Sequence, residues 1–147
     1  MTAIQVALLD TDVYSALFIT PAGVVARQGH PVAAWRLALA GSRPVISFQT
    51  RAEVLAGALL AGWGQKRLDQ TRAQLDATPT VDEDVDVVDA YSRLLADARS
   101  LGHPLGTAKD HVGDRWIAAC AIAKQLPLLT GNTKHFRGAP GLELIAY

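Results

Sequence analysis

Cysteine is almost missing from this chain: Cys120 is the single one among 147 residues. An intramolecular disulfide, a thiolate zinc cluster and a Cys-X-X-Cys redox pair are therefore excluded, and Cys120, set in an apolar helical pattern, reads as core packing. Net charge is missing too, with 14 Lys and Arg against 14 Asp and Glu. No global field draws the chain to nucleic acid, so any such contact must come from local basic patches. No basic stretch precedes apolar residues at the N-terminus, and no apolar run approaches the roughly 20 residues that span a bilayer. The expectation is a cytoplasmic protein without membrane association. Also absent are the P-loop, Gly-X-Gly-X-X-Gly and Gly-X-Ser-X-Gly, and the four histidines lack metalloprotease spacing. No repeat, low-complexity segment or linker interrupts the chain, so residues 1–147 read as one domain.

What is present is apolar sequence in short, interrupted pieces. Half the residues are hydrophobic, enough for a real core. Val6–Leu9 reads as a buried strand, and the next helix, capped by Thr11 or Asp12, carries Val13, Leu17 and Phe18 until Pro21-Ala22-Gly23 breaks it. A helix is expected over about 31–40, a strand over 44–48, a helix over about 50–60 and a surface helix over 65–76. A short strand at 78–81, an amphipathic helix at 84–101 and a Gly- and Pro-rich loop at 102–113 follow. A central helix at 114–125 and strands at 128–130 and 142–145 complete the chain. Strands alternating with helices predict an α/β sandwich, with a central, mainly parallel sheet flanked by helices.

The carboxylates carry the chemical signal. Asp10 ends the first strand, where open parallel sheets bind their ligands, although an aspartate there can also cap a helix. Asp12 alone reads more simply as a cap. Glu53 faces Ala56, Gly57 and Leu60 on its helix, so it must snorkel, pair with a distant Arg or bind a metal. Asp114 opens a buried helix; N-capping would explain it, but Asp110, His111 and Arg115 crowd the same turn. Thr130-Gly131-Asn132 follows another strand; Asn132 is either a turn residue or a water-orienting amide, and His135 three residues on is either surface or a phosphate or proton contact. Acids in apolar surroundings repel one another unless a cation lies between them. The pattern points to a divalent metal and a hydrolase.

Taken in order, five stretches resemble the PIN-domain ribonucleases, in particular the VapC-type toxins of bacterial toxin–antitoxin pairs. They are Leu8-Leu9-Asp10-Thr11-Asp12-Val13, Ser47 to Val54, Asp114 to Ala119, Leu128 to Phe136, and Pro140 to Leu144. The resemblance spans essentially the whole chain and implies a PIN-like sandwich with acidic residues gathered at one end. It places the family's acids on Asp10, Glu53 and Asp114, and puts Asn132 where a fourth acid is frequent. His135 stands where many members carry an aspartate before Phe, and Asp110 is a candidate replacement acid.

The implied activity is endonucleolytic cleavage of structured RNA, such as tRNA or rRNA, by metal-activated water. Asp10, Glu53 and Asp114 are the expected ligands of Mg²⁺ or Mn²⁺. Asn132 is expected to orient water or phosphate. Thr11, Asp12, Asp110, Arg115, Thr130 and His135 are supporting or substrate-contacting candidates. Lys109, Arg115, Lys134 and Arg137 are candidates for flanking phosphates, with solvated surface charge the plainer reading of each. The resemblance also implies a cognate antitoxin and a homodimer. The apolar stretches Val13-Leu17-Phe18-Ile19 and Leu55-Leu59-Leu60 are the candidate partner surface. Two other classes stay open. A haloacid-dehalogenase-like phosphatase would use Asp10 as nucleophile, though Tyr14 stands where that pattern wants threonine. A degenerate PIN-like module would bind RNA or protein without cleaving.

Overall fold

The computed structural model describes residues 3–147. Strand β1 (Val6–Leu9) runs into a one-turn helix α1 (Thr11–Tyr14) that widens into a π-helical turn over Ser15–Ile19. Helices α2 (Ala22–Gln28) and α3 (Val32–Ala38) lead to β2 (Arg43–Ser47), α4 (Phe48–Leu60) and α5 (Gln65–Asp76). The short β3 (Thr80–Val81) precedes the long α6 (Val85–Leu101). A 3-10 turn at Pro104–Gly106, α7 (Val112–Ala123), β4 (Leu128–Leu129) and the one-turn α8 (Thr133–Phe136) finish the chain.

The sheet order is β3-β2-β1-β4 and every pairing is parallel. Period-two alternation distributes β1 over both faces. Leu8 joins Leu94, Ala98, Leu105, Ile117, Leu128 and Phe136 in one cluster, beneath α6 and α7. Ala7 and Leu9 join Val13, Tyr14, Trp35, Ile46, Val54, Leu75 and Leu129 in the other. Burial on both faces is why β1 reads as an unbroken apolar run. Helix α7 is buried from Ile117 to Ala121, and its small residues let α6 pack closely.

The chain steps from β1 through β2 to β3 on one side, then returns to place β4 on the other side of β1. The gap beyond the carboxyl ends of β1 and β4 is therefore the topological switch point, where α/β sheets hold ligands. Registry Leu9↔Leu129 sets Asp10 beside Thr130 there, and Asp10 N–H donates to the Leu129 carbonyl at 2.9 Å.

Several local expectations are revised. Pro21-Ala22-Gly23 does end the first helical stretch, but α2 begins at once at Ala22, because a proline just ahead of a helix costs no hydrogen bond. The expected strand at 142–145 reduces to a single parallel bridge, Leu128↔Leu144. The loop at 102–113 contains the 3-10 turn, held against α6 by the Arg99 side chain on the Gly106 carbonyl at 3.0 Å. A Cβ on Gly106 would collide with the Arg99 backbone, so that approach requires glycine. Val13 is fully buried and cannot belong to a partner surface, whereas Phe18, Leu59 and Leu60 are exposed. Among the described residues no helix is long and apolar enough to cross a membrane.

Candidate active site

Asp10 is 6 % exposed and fixed at both oxygens. Its Oδ1 accepts from Thr11 N–H at 2.8 Å, which makes Asp10, rather than Thr11 or Asp12, the N-cap of α1. Its Oδ2 accepts from the Thr130 hydroxyl at 2.7 Å, and that hydroxyl in turn accepts from Asn132 N–H at 2.9 Å. Two donors do not offset the loss of water. Burial, then the charge of Asp12, push the Asp10 carboxyl up to about 7.

Asp12 lies within α1 rather than capping it. Its Oδ1 accepts from Val13 N–H at 2.8 Å and its Oδ2 from Gly131 N–H at 3.1 Å, tying the turn after β1 to the loop after β4. Gly131 is obligatory here, since a Cβ would lie 2.5 Å from Asp12 Oδ2 and 2.8 Å from the Trp35 ring. Burial raises the Asp12 pKa above the ordinary carboxylate value.

Glu53 reaches in from α4. Its Oε2 accepts from the Thr11 hydroxyl at 3.2 Å, and Thr11 also meets the buried Thr50 hydroxyl at 2.9 Å. Ser47, at the end of β2, caps α4 by accepting from Thr50 N–H at 3.0 Å, which fixes the angle at which α4 leaves the sheet. Gly113 of α7 presses on the same group: a Cβ there would lie 3.0 Å from the Gln49 amide nitrogen and 3.8 Å from Glu53 Oε2. Burial of this end raises the Glu53 pKa, with Asp114 and Asp12 adding to the rise.

Asp114 lies in the first turn of α7, two residues past its start, and does not cap it. Its Oδ2 is 2.8 Å from His135 Nδ1 and 3.7 Å from His111 Nδ1. The Asn132 side-chain nitrogen also lies 2.7 Å from His135 Nδ1. Nδ1 holds at most one hydrogen: with it the ring donates to Asp114, and without it the ring nitrogen accepts from the Asn132 amide and keeps a lone pair facing the acid. Asn132 thus meets the acids through Thr130 and His135.

Among the described residues, the ion pairs involving Lys or Arg are Arg51 with Asp76 and Lys124 with Asp84. Neither touches Asp10, Asp12, Glu53 or Asp114, so the distant-Arg explanation of Glu53 finds no partner. Among the described residues these hard oxygens have no ammonium or guanidinium bonded to them and suit a divalent cation by donor chemistry, and Asp114 raises the pKa of both Asp10 and Glu53. The ligand atoms that approach within 4.8 Å of one another, however, are those of His111, Asp114 and His135 rather than of Asp10, Glu53 and Asp114.

Two sequence candidates stand apart. Arg115 is wholly buried, and its guanidinium donates to the carbonyls of Leu105 at 2.6 Å, Thr107 at 3.1 Å, Ala108 at 3.2 Å and Asp110 at 3.4 Å. It clamps the loop before α7 and has no donor turned outward for phosphate, which corrects its reading as a substrate contact. Asp110 is exposed and engaged through its backbone alone. Sequence reasoning gave no role to Ser47, Thr50, Gly131 or His111. The last was signalled by its place three residues before Asp114.

The PIN domain profile matches residues 7–141. The chain belongs to the PIN-domain family, whose members are nucleases that generally use a divalent metal. Its fold also matches chains of solved toxin–antitoxin structures, VapBC complexes among them. One is VapBC2 from Rickettsia felis bound to a promoter DNA fragment, at TM-score 0.70 and 19 % identity over 97 % of this chain and 99 % of that one. Another is a toxin–antitoxin complex from Klebsiella pneumoniae, at TM-score 0.59 and 26 % identity over 92 % and 94 %. FitAB from the complex with IR36 DNA matches at TM-score 0.68 and 22 % identity over 96 % and 94 %. A search of curated proteins returns no significant match. The resemblance noted from the five motifs thus holds at the level of family and fold.

Proposed function

We propose that this protein is a metal-dependent endoribonuclease, the toxin of a toxin–antitoxin pair, which cleaves structured cellular RNA such as tRNA or rRNA. The observation that carries the reading is the set of acids at the switch point, held by hydroxyls and backbone N–H groups and, among the described residues, in no ion pair with Lys or Arg. Asp10, Glu53 and Asp114 would hold Mg²⁺ or Mn²⁺, which when bound supplies an acidified water and charge stabilisation at the phosphoryl oxygens. Thr130 and Thr11 N–H keep both Asp10 oxygens aimed into the cleft, and Thr11 positions Glu53. His135, between Asp114 and Asn132, is placed to orient water or hand a proton to the departing oxygen. Lys109, Lys134 and Arg137 are exposed and available to flanking phosphates.

Comparison chains come from VapBC complexes, which supports an antitoxin partner that covers the cleft. Exposed Phe18, Leu59 and Leu60 are apolar surface for that partner or for a second copy in a homodimer. The phosphatase alternative needs a lysine beside Asp10, and among the described residues none bonds to it. The experiment is incubation of the purified, partner-free protein with total cellular RNA in Mg²⁺, Mn²⁺ or EDTA. Wild type should give discrete fragments only with metal, and Asp10→Asn, Glu53→Gln and Asp114→Asn should give none. RNA binding by folded wild type without cleavage in either metal would favour the non-catalytic module instead.

A further inference from the structure

The imidazoles beside Asp114 give the site a donor set that carboxylates alone do not. We infer that His111, Asp114 and His135 form a cation position selective for metals that favour nitrogen ligands, such as Co²⁺ or Zn²⁺, over Mg²⁺. One ligand atom from each, among His Nδ1 or Nε2 and a carboxylate oxygen, lies within 4.8 Å of the others. Donors held about 2.1 Å from one tetrahedral cation sit roughly 3.4 Å apart. The observed separations from Asp114 Oδ2, 2.8 Å to His135 and 3.7 Å to His111, bracket that spacing. The two rings meet edge to face with centroids 4.5 Å apart, so small rotations suffice to aim both at one point.

His111 occupies the left-handed region at φ 57°, which residues with a Cβ rarely adopt. His111 sits at the cap position of α7 without a side-chain capping bond, so helix capping does not account for this conformation. Its carbonyl accepts from Arg115 N–H at 2.8 Å, and the buried Arg115 clamp holds the preceding loop in place. His135 is supplied by α8, at the far side of the switch point. Imidazole binds Zn²⁺, Co²⁺ and Ni²⁺ well, whereas Mg²⁺ takes oxygen and keeps its waters. The inference rests on the proposed metal centre to the extent that Asp114 is shared between the histidine and carboxylate sides.

The test is equilibrium titration of the full chain with Co²⁺, Zn²⁺ and Mg²⁺, following heat and the visible absorption of bound Co²⁺. Wild type should bind Co²⁺ and Zn²⁺ at least about tenfold more tightly than Mg²⁺. His111→Ala and His135→Ala should each lose Co²⁺ affinity by about tenfold or more and shift its absorption, with Mg²⁺ binding little changed. His135→Asp should reverse the preference toward Mg²⁺. Melts in EDTA confirm that each variant is folded, and His135→Asp keeps the test decisive should an alanine variant unfold. Unchanged Co²⁺ affinity and absorption in the folded histidine variants overturns the inference. If Mg²⁺ or Mn²⁺ still supports cleavage in that case, the nuclease reading survives it. Histidine-dependent Co²⁺ binding without RNA cleavage in any metal would leave the inference standing and remove the nuclease reading.

Discussion

Replacing Asp10 by asparagine should stabilise the cation-free protein while destroying its activity. The acid is 6 % exposed, and its pKa rises from 3.8 to about 7 through burial first and Asp12 second. An acid whose folded pKa lies above its unfolded value binds its proton more tightly when folded. The contribution of this group to stability is then fullest below pH 3.8 and is lost as pH rises through about 7. At about 1.4 kcal/mol per pH unit, the ionised side chain costs roughly 4 kcal/mol above pH 7. An amide is neutral at every pH and keeps the shape: its oxygen can accept from Thr11 N–H, and the Thr130 hydroxyl can rotate to accept from its nitrogen. The Asp10→Asn protein should therefore be more stable than wild type by roughly 2–4 kcal/mol at pH 8 in EDTA, or about 5–10 °C in Tm. At pH 4 the two should nearly coincide. Urea and thermal denaturation at both pH values would show this. Equal or lower stability of Asp10→Asn at pH 8 would refute the claim that repulsion and burial, unrelieved by protein cations, govern this cleft.

Other consequences follow from the same geometry. Thr130→Val removes a hydrogen bond that lowers the Asp10 pKa, so Mn²⁺ affinity at pH 7 should fall by about tenfold and recover as pH rises to 9, read by calorimetry. Gly131→Ala drives a methyl group into Asp12 Oδ2 and the Trp35 ring, and should lower the cleavage rate by about 10²-fold in single-turnover assays. Arg115→Leu strips the donor from four carbonyls before α7 and should cost about 3 kcal/mol in urea denaturation, with Arg115→Lys recovering only part because one ammonium cannot span that fan.

Much of the site was legible because its residues contradict their surroundings. The apolar run ending at Asp10 announces a polar group delivered to a sheet edge, whereas Glu53 shares an exposed face with Ala56, Gly57 and Leu60, so its apolar neighbours in sequence did not mean burial. What could not be read depends on segments distant in sequence. Arg115 looks like a phosphate ligand until the 105–110 carbonyls close around it. Asp12 looks like a cap until β4 brings Gly131 against it, and the positive φ of His111 has no signature in residue type. In the fold, long periodic segments such as α6 were plain. The start of α2 was hidden by Pro21 and Gly23, and the end of the chain is extended sequence that makes only one bridge.

The most direct test of the central claim, that these acids are held together for a cation, is Mn²⁺ binding measured calorimetrically at pH 7 in two buffers of different ionisation enthalpy. With the Asp10 pKa at about 7, binding should displace about half a proton or more per ion, and Asp10→Asn should abolish that release along with most of the affinity. Failure of the folded protein to bind Mn²⁺, or binding with no proton released and no dependence on Asp10, would contradict the account.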